Sequence, residues 1–258
     1  MTSNKLKIVA VIFMLIDHFA YYFYYAMPSE VYTLGRILGR MSMPIFVYLL
    51  VQGYFNTKNI KKYKIRLLIS AIITQILILI MKYINIKYFS YYTTNVYEVL
   101  NILFSMYLSI ILICLIDRKI IYANTFISSI CDKLIRLFIM VFIVILYVKL
   151  QLDYLYFLPI LAISFYIIER LREFFEWEIS NIKYKIILCI VAGILLLISY
   201  KILNIISLFS VFALIFIILY NGERGKKGVF LKYIFYLFFP LQHITLYFLA
   251  MFLYNKLL

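Results

Sequence analysis

The chain has 258 residues, of which 66% are hydrophobic, 19% aromatic and 14% charged, and its formal net charge is +15. Soluble domains contain about 45–50% apolar and about 25% charged residues, so this composition excludes an ordinary soluble domain. Nucleic-acid binding is also disfavoured, because the basic residues are scattered over several connecting segments and do not form one patch.

Apolar runs of the ~20 residues that cross a bilayer recur along the sequence. We therefore predict an all-α fold, a polytopic bundle of about nine transmembrane helices that forms one domain, 1–258. In chain order the predicted spans cover roughly 6–26, 31–54, 65–86, 96–116, 134–150, 153–169, 184–200, 202–220 and 231–254. The runs 134–168 and 184–220 are each too long for one span, and polar residues near 149–153 and 200–204 predict where they break.

The distribution of charge predicts the topology. If the N-terminus is cytoplasmic and the spans alternate, most of the 26 lysines and arginines fall in cytoplasmic segments, as the positive-inside rule requires. The expected location is the cell membrane (the inner or plasma membrane), crossed several times, with the basic segments beside anionic lipid headgroups. The three cysteines, Cys114, Cys131 and Cys189, have no metal-ligand spacing, so no metal is expected.

Two polar residues, Asp17 and His18, interrupt the first apolar run. A carboxylate and an imidazole at membrane depth are costly, and they are retained where they face a cavity or a partner. They could act as a base and its orienting acid, or they could pair with charges on another helix and only lock the bundle. Arg40 is the expected partner of Asp17, because a buried carboxylate needs a cation.

Further polar residues lie at a similar depth in other predicted spans. Arg36 and Arg40 are one turn apart on one face of the second span. Gly35 and Gly39 beside them have the small-xxx-small spacing that lets a second helix approach closely. With alternating spans, these arginines lie in the same outward half of the bundle as Asp17 and as four polar residues of later spans: Glu98, Asn101, Asp153 and His243. We predict that these groups converge on one polar pocket.

A basic segment, residues 221–228, precedes the last span and interleaves glycines with Arg224, Lys226 and Lys227. Backbone N–H groups and positive charge in such a segment can hold phosphates. It is not a Walker motif, which requires GxxxxGK[ST]. The alternative is an ordinary positively charged cytoplasmic loop.

Several segments, in order, resemble the TraX family of integral-membrane acetyltransferases. Residues 6–18 are similar to the family's "LK-IA…M-IDH" opening, and residues 39–53 to its "GR-AFPLFAFLL-EG" stretch. Residues 101–104 are similar to "NVLFT", and residues 221–240 to the closing "NG-RG…KYLFYLFYP-H". Asp153-Tyr154 corresponds to the Asp before the family's "YG", although position 155 is Leu here.

One position departs from the family pattern. The family's late histidine comes two residues after the proline, where this chain has Gln242, and His243 follows one residue later. A step of one residue turns a helical side chain by ~100°, so this step decides whether His243 keeps the family role.

The resemblance implies acyl transfer, in which an acetyl group passes from acetyl-CoA to an amine or hydroxyl acceptor. The acceptor would be a peptide N-terminus, a sugar or a lipid. His18 would remove the acceptor proton, and Asp17 would orient or charge the His18 ring. Arg40 or Asn101 would stabilise the oxyanion. The expected catalytic set is Asp17, His18, Arg40, Asn101 and His243.

The remaining expected site residues bind the two substrates. The phosphates of CoA would be held by Arg224, Lys226 and Lys227, and the acceptor by Arg36, Glu98 and Asp153. Two rival functions remain open: a small transporter or flippase with a polar site at mid-membrane, and an accessory subunit in which Asp17–Arg40 is a buried lock.

Overall fold

The structure, a computed structural model, describes residues 1–88, 100–117, 126–150, 152–201, 203–225 and 229–257. These residues form helices and turns with no strand among them, which confirms the all-α class. The α-helices are α1 (Ser3–Tyr22), α2 (Ser29–Gly39), α3 (Ser42–Asn56), α4 (Ile60–Tyr88), α5 (Ile102–Asp117), α6 (Phe126–Lys149), α7 (Phe157–Phe174), α8 (Ile182–Ile198), α9 (Ala213–Ile218) and α10 (Val229–Leu257). Short 3₁₀ helices cover Tyr24–Ala26, Ser199–Lys201 and Ile205–Phe212.

Each of the nine predicted spans overlaps helix in the described part of the chain. Four stretches there are long and apolar enough to cross a membrane: Ser29–Asn56, Ile60–Ile84, Ile182–Lys201 and Leu237–Tyr254. The structure therefore supports a membrane protein. The count of nine spans and the side on which the N-terminus lies stay predictions.

Both predicted breaks are confirmed. Helix α6 ends at Lys149, and α7 begins at Phe157. Helix α8 ends at Ile198, and after a short turn the side chain of Asn204 accepts a hydrogen bond from the backbone N–H of Ser207, which caps the next helix. Asparagine is a preferred residue at this position, because its side-chain oxygen satisfies an N–H group that the helix leaves unpaired.

The second predicted span contains a break that the sequence analysis did not place. Helix α2 ends at Gly39 and α3 begins at Ser42. Pro44 has no backbone N–H, so it cannot bond to the carbonyl of residue 40, and its ring is tolerated only in the first turn of a helix. The break leaves Arg40 at the junction of the two helices.

The predicted close approach at the paired glycines is confirmed, and the partner is α1. A Cβ atom at Gly35 would lie 2.6 Å from the Cβ of Ala20, and one at Gly39 would lie 2.2 Å from the Cβ of Asp17. No other residue fits at these two positions without moving α1. The contact sets Asp17 directly against the backbone of α2.

Apolar side chains cover both the interior and much of the outer surface. The largest buried cluster includes Tyr48 of α3 and Phe165 of α7, which are each about 1% exposed. On the outer surface, Phe138 of α6 is 74% exposed and Ile182 of α8 is 72% exposed. Helices that face lipid keep apolar residues on the outside in this way, whereas a soluble protein rarely shows large apolar patches.

Candidate functional site

One cavity of about 950 Å³ runs through the bundle beside α1. Its lining extends from Ser3 to Tyr22, which is about 28 Å at 1.5 Å per residue. Side chains from α2, α3, α4, α5 and α10 and the turns around residues 153–154 and 220–224 complete the wall. The volume lies within the range of small-molecule and cofactor sites, about 300–1,000 Å³. The two ends of this cavity, called here the mouth (near Ser3) and the deep end (near Tyr22), differ in chemistry.

The predicted convergence of polar side chains is confirmed at the deep end. The lining there includes six of the predicted site residues: Asp17, His18, Arg36, Arg40, Asp153 and His243. Asn101 lines the same cavity. Glu98 lies outside the described residues.

His18 contacts two consecutive residues of α10. Its Nδ1 is 2.8 Å from the side-chain nitrogen of Gln242, and its ring centroid is 4.3 Å from that of His243. His243 Nδ1 lies 2.9 Å from the hydroxyl of Tyr22. The one-residue shift from the family pattern therefore does not remove His243 from the site, because residues 242 and 243 both reach the His18 ring.

Asp17 forms an ion pair with Arg36. Arg36 Nη1 lies 3.0 Å from Asp17 Oδ2, and the two side chains are only 16% and 14% exposed. The predicted pair with Arg40 is wrong, because Arg40 Nη1 instead donates to the hydroxyl of Tyr154 at 3.2 Å. The side chain of Arg40 is turned by about 100° from Gly39, the residue that packs on Asp17.

The Asp17 carboxylate and the His18 ring have different partners. Adjacent residues of a helix point about 100° apart, and here one faces α2 and the other faces α10. In the described part of the chain, Asp17 Oδ1 is buried without a hydrogen-bond partner. The residue that contacts the His18 ring nitrogen is thus Gln242, and Asp17 holds α1 to α2.

The side chain of Asn101 forms hydrogen bonds within the protein. Its side-chain nitrogen donates to the carbonyl of Ala71 and to Gln75 Oε1, each at 2.9 Å. Its side-chain oxygen accepts from the backbone N–H of Leu103 at 3.1 Å, at the start of α5. Both donor hydrogens of the amide are therefore used within the protein. The observed role of Asn101 is to cap α5 and tie it to α4.

Asp153 and Tyr154 lie in a tight turn before α7. Tyr154 and Leu155 have φ values of 60° and 45°, in the left-handed region that favours glycine. The family pattern has glycine at the second of these positions, which fits the backbone observed here. The turn directs the Tyr154 hydroxyl to Arg40.

The mouth is lined by basic side chains: Lys7, Lys58, Lys62, Arg66 and Arg224. Arg224 belongs to the predicted phosphate-binding segment, whereas Lys226 and Lys227 lie outside the described residues. From the sequence, the lysines and arginine around the α3–α4 turn are basic residues of a predicted cytoplasmic segment and are not among the expected site residues. Arg66 Nε is buried and has no hydrogen-bond partner in the described part of the chain.

The first residues of the chain hold the segment that carries Arg224. The backbone N–H of Ser3 donates to the carbonyl of Glu223 at 2.8 Å, and that of Asn4 donates to the carbonyl of Arg224 at 3.3 Å. The N–H of Asn221 donates to the carbonyl of Met1 at 3.0 Å. These bonds fix residues 221–224 at the mouth.

Comparison with known proteins decides the family. The sequence profile of the family described as "TraX protein" matches residues 2–250, nearly the whole chain. The chain belongs to the TraX family. No solved structure matches it.

The chain is also similar to the probable fimbrial assembly protein FimC, serogroup H1, of Dichelobacter nodosus. The two are 36% identical over 74 residues, which is 29% of this chain and 30% of the relative. The matched stretch therefore covers less than a third of either protein.

The TraX-like segments meet at the cavity. Residues 6–18, 39–53, 101–104 and 221–240 are far apart in the sequence, yet each contributes side chains to the wall of this one space. Sequence reasoning missed Tyr22, Tyr154 and Gln242. The departure from the family pattern after Pro240 was the one signal that could have found Gln242.

Proposed function

We propose that this TraX-family protein is a membrane-bound acetyltransferase that moves an acetyl group from acetyl-CoA to an amine or hydroxyl acceptor. The observation that carries the proposal is the cavity, because it joins a basic mouth to His18 and His243 in one continuous space. An anionic donor with a long, narrow arm needs these two features at opposite ends of one site.

The mouth suits the phosphates of the donor. Lys58, Lys62 and Arg66 lie close together in sequence on the α3–α4 turn and α4, and Arg224, in the segment before α10, lines the same cavity. Charge-assisted hydrogen bonds to phosphate are about twice as strong as neutral ones. Arg66 Nε, which has no partner within the described residues, is a donor available to such a ligand. Lys226 and Lys227 remain predicted members of this phosphate site.

The deep end suits the transfer step. The acceptor N–H or O–H gives its proton to Nε2 of His18, and the acceptor atom attacks the thioester carbonyl carbon. Arg40 stabilises the resulting oxyanion, since its Nε is buried without a partner in the described part of the chain. The C–S bond then breaks, and the CoA sulfur takes the proton back from His18.

The acceptor is proposed to be a peptide N-terminus, a sugar or a lipid, bound near Arg36 and Asp153. The relative in Dichelobacter nodosus is named a probable fimbrial assembly protein, which favours a fimbrial subunit as the source of the peptide. In this proposal the basic mouth faces the cytoplasm, where acetyl-CoA is available, and the protein crosses the cell membrane several times.

Release of free thiol from acetyl-CoA by the purified protein in detergent tests the proposal. We expect the wild type to release thiol, even slowly without an acceptor, and His18→Ala to lose this activity while it keeps its helical content. Lys149→Ala serves as a matched control, because Lys149 is exposed at the end of α6 and does not line the cavity. A wild type that neither binds acetyl-CoA nor releases thiol would favour the transporter or the accessory subunit.

A further inference from the structure

We infer that Gln242 is the positioning residue for His18: its amide oxygen accepts the Nδ1 proton and leaves Nε2 unprotonated for the acceptor. This inference rests on the proposed function, because it specifies how the imidazole is prepared as a base. Gln242 has no role in the expected set of site residues, and a neutral amide would replace the carboxylate that usually orients a catalytic histidine.

The contact is direct and partly buried. The side-chain nitrogen assigned to Gln242 lies 2.8 Å from His18 Nδ1, and the residue is 5% exposed. Its side-chain oxygen is buried without a hydrogen-bond partner in the described part of the chain. The oxygen and nitrogen of an amide differ little in shape, so the hydrogen-bond network has to decide which of them meets the ring.

The tautomer of His18 determines whether the oxygen or the nitrogen of the Gln242 amide bonds to Nδ1. If the amide nitrogen donates to Nδ1, the proton of a neutral ring must lie on Nε2, and that nitrogen cannot accept another. If the amide is turned by 180°, its oxygen accepts Nδ1–H and Nε2 carries the lone pair. In the described part of the chain Nδ1 is the ring nitrogen with a protein partner. A base at this position therefore requires the second arrangement.

The tautomer matters because the base of the proposed function is a neutral imidazole, which alone has a free lone pair on the ring. The charged groups that share the deep end of the cavity with His18 are the guanidinium groups of Arg36 and Arg40 and the carboxylates of Asp17 and Asp153, and Asp17 pairs with Arg36. For a neutral ring, the position of the single proton determines whether Nε2 is a donor or an acceptor.

The helix geometry allows Gln242 to hold the ring firmly. Pro240 lies within α10 two residues before Gln242, and Phe239 packs edge-on against His18 with a centroid distance of 6.1 Å. The ring is thus fixed by Phe239 and His243 through packing and by Gln242 through a hydrogen bond. A half-turn of the ring would break the hydrogen bond to Gln242.

The tautomer can be read directly, without reference to activity. The chain has only two histidines, so ¹⁵N-histidine labelling gives two sets of ring signals, and His18→Asn identifies those of His18. We expect the wild type to carry its proton on Nδ1 and to have a bare Nε2. In Gln242→Met, which keeps the length of the side chain and removes the hydrogen bond, this preference should be lost. A wild-type proton on Nε2 would overturn the inference, whatever the turnover.

Kinetics supply the second readout. We expect Gln242→Met to lower kcat by about 10–100-fold with an unchanged KM for acetyl-CoA, because only the orientation of the base is lost. Gln242→Glu keeps an acceptor oxygen at the same place and should retain more activity than Gln242→Met. Wild-type kcat in Gln242→Met would contradict the role. A wild type without thiol release would instead refute the proposed function, and the NMR result would then decide on Gln242 by itself.

Discussion

The rings of His18 and His243 lie with their centroids 4.3 Å apart, although they come from the first and last helices of the chain. His243 is held on its other side by Tyr22, which hydrogen-bonds its Nδ1. Helix α10 therefore closes the deep end of the cavity against α1. Both histidines face the same space, so substitutions are needed to separate their contributions to activity and to stability.

We expect His243 to support His18 mainly by packing, since Nδ1 of His243 is already engaged with Tyr22. His243→Phe keeps the ring and should retain most of the wild-type thiol release. His243→Ala removes buried volume beside His18 and should lower the free energy of unfolding by roughly 2 kcal/mol, with a larger loss of activity. Equal loss of kcat in both variants, with unchanged unfolding temperatures, would instead give His243 a part in proton transfer.

We expect the Asp17–Arg36 pair to be structural, so its loss should lower the free energy of unfolding. Arg36→Met leaves the largely buried Asp17 carboxylate without its ion-pair partner, which should lower the free energy of unfolding by up to about 3–5 kcal/mol. Thermal unfolding in detergent measures this change. Glu173→Gln removes one partner of an exposed pair with Arg170 and should shift the free energy by less than about 0.5 kcal/mol.

Exchange of the two charges separates a lock from a catalytic pair. Asp17→Arg combined with Arg36→Asp should recover part of the stability that Arg36→Met loses, because opposite charges still meet. If the double variant also recovers thiol release, Asp17 acts only through the position of α1. Recovery of stability without activity would show that the carboxylate itself is needed on α1.

The mouth should control the affinity for the donor and not the chemical step. Lys62→Ala with Arg66→Ala removes two cavity-lining cations and should raise the KM for acetyl-CoA by roughly 10-fold or more, with little change in kcat. Lys61→Ala with Lys64→Ala is the matched control, because these neighbours on α4 do not line the cavity. An equal rise of KM in both variants would indicate a general effect of net charge.

The turn after α7 offers a test of the fold away from the cavity. Glu176 is exposed and has a φ of 52°, and the backbone N–H of Trp177 donates to the carbonyl of Arg172 at 2.9 Å. This is the helix ending in which glycine is preferred, because it has no Cβ to clash. Glu176→Gly should stabilise the protein by about 0.5–1 kcal/mol and raise the unfolding temperature by a few degrees. Glu178→Gly, two residues later and without a positive φ, should give no such gain.

Much of the architecture could be predicted because it depends on local properties of the chain. Long apolar runs predict helices, and the breaks near residues 150 and 200 follow from helix length and from polar residues. The family could also be predicted, because short motifs such as those at residues 6–18 and 39–53 can be recognised directly in the sequence. The convergence of polar residues on one cavity could be predicted by counting residues along the expected spans.

The partners within the site were decided only by the tertiary structure. A difference of one residue turns a helical side chain by about 100°, and the sequence does not fix how each helix is rotated against its neighbour. For this reason Arg36 and not Arg40 pairs with Asp17, and Gln242 joins His243 at His18. Likewise, only the packing of α4 decides that Lys62 and Arg66 line the cavity while Lys61 and Lys64 of the same helix do not. The sequence by itself determined that a helical membrane protein would bury these polar groups, and the rotation of the packed helices decided which of them meet.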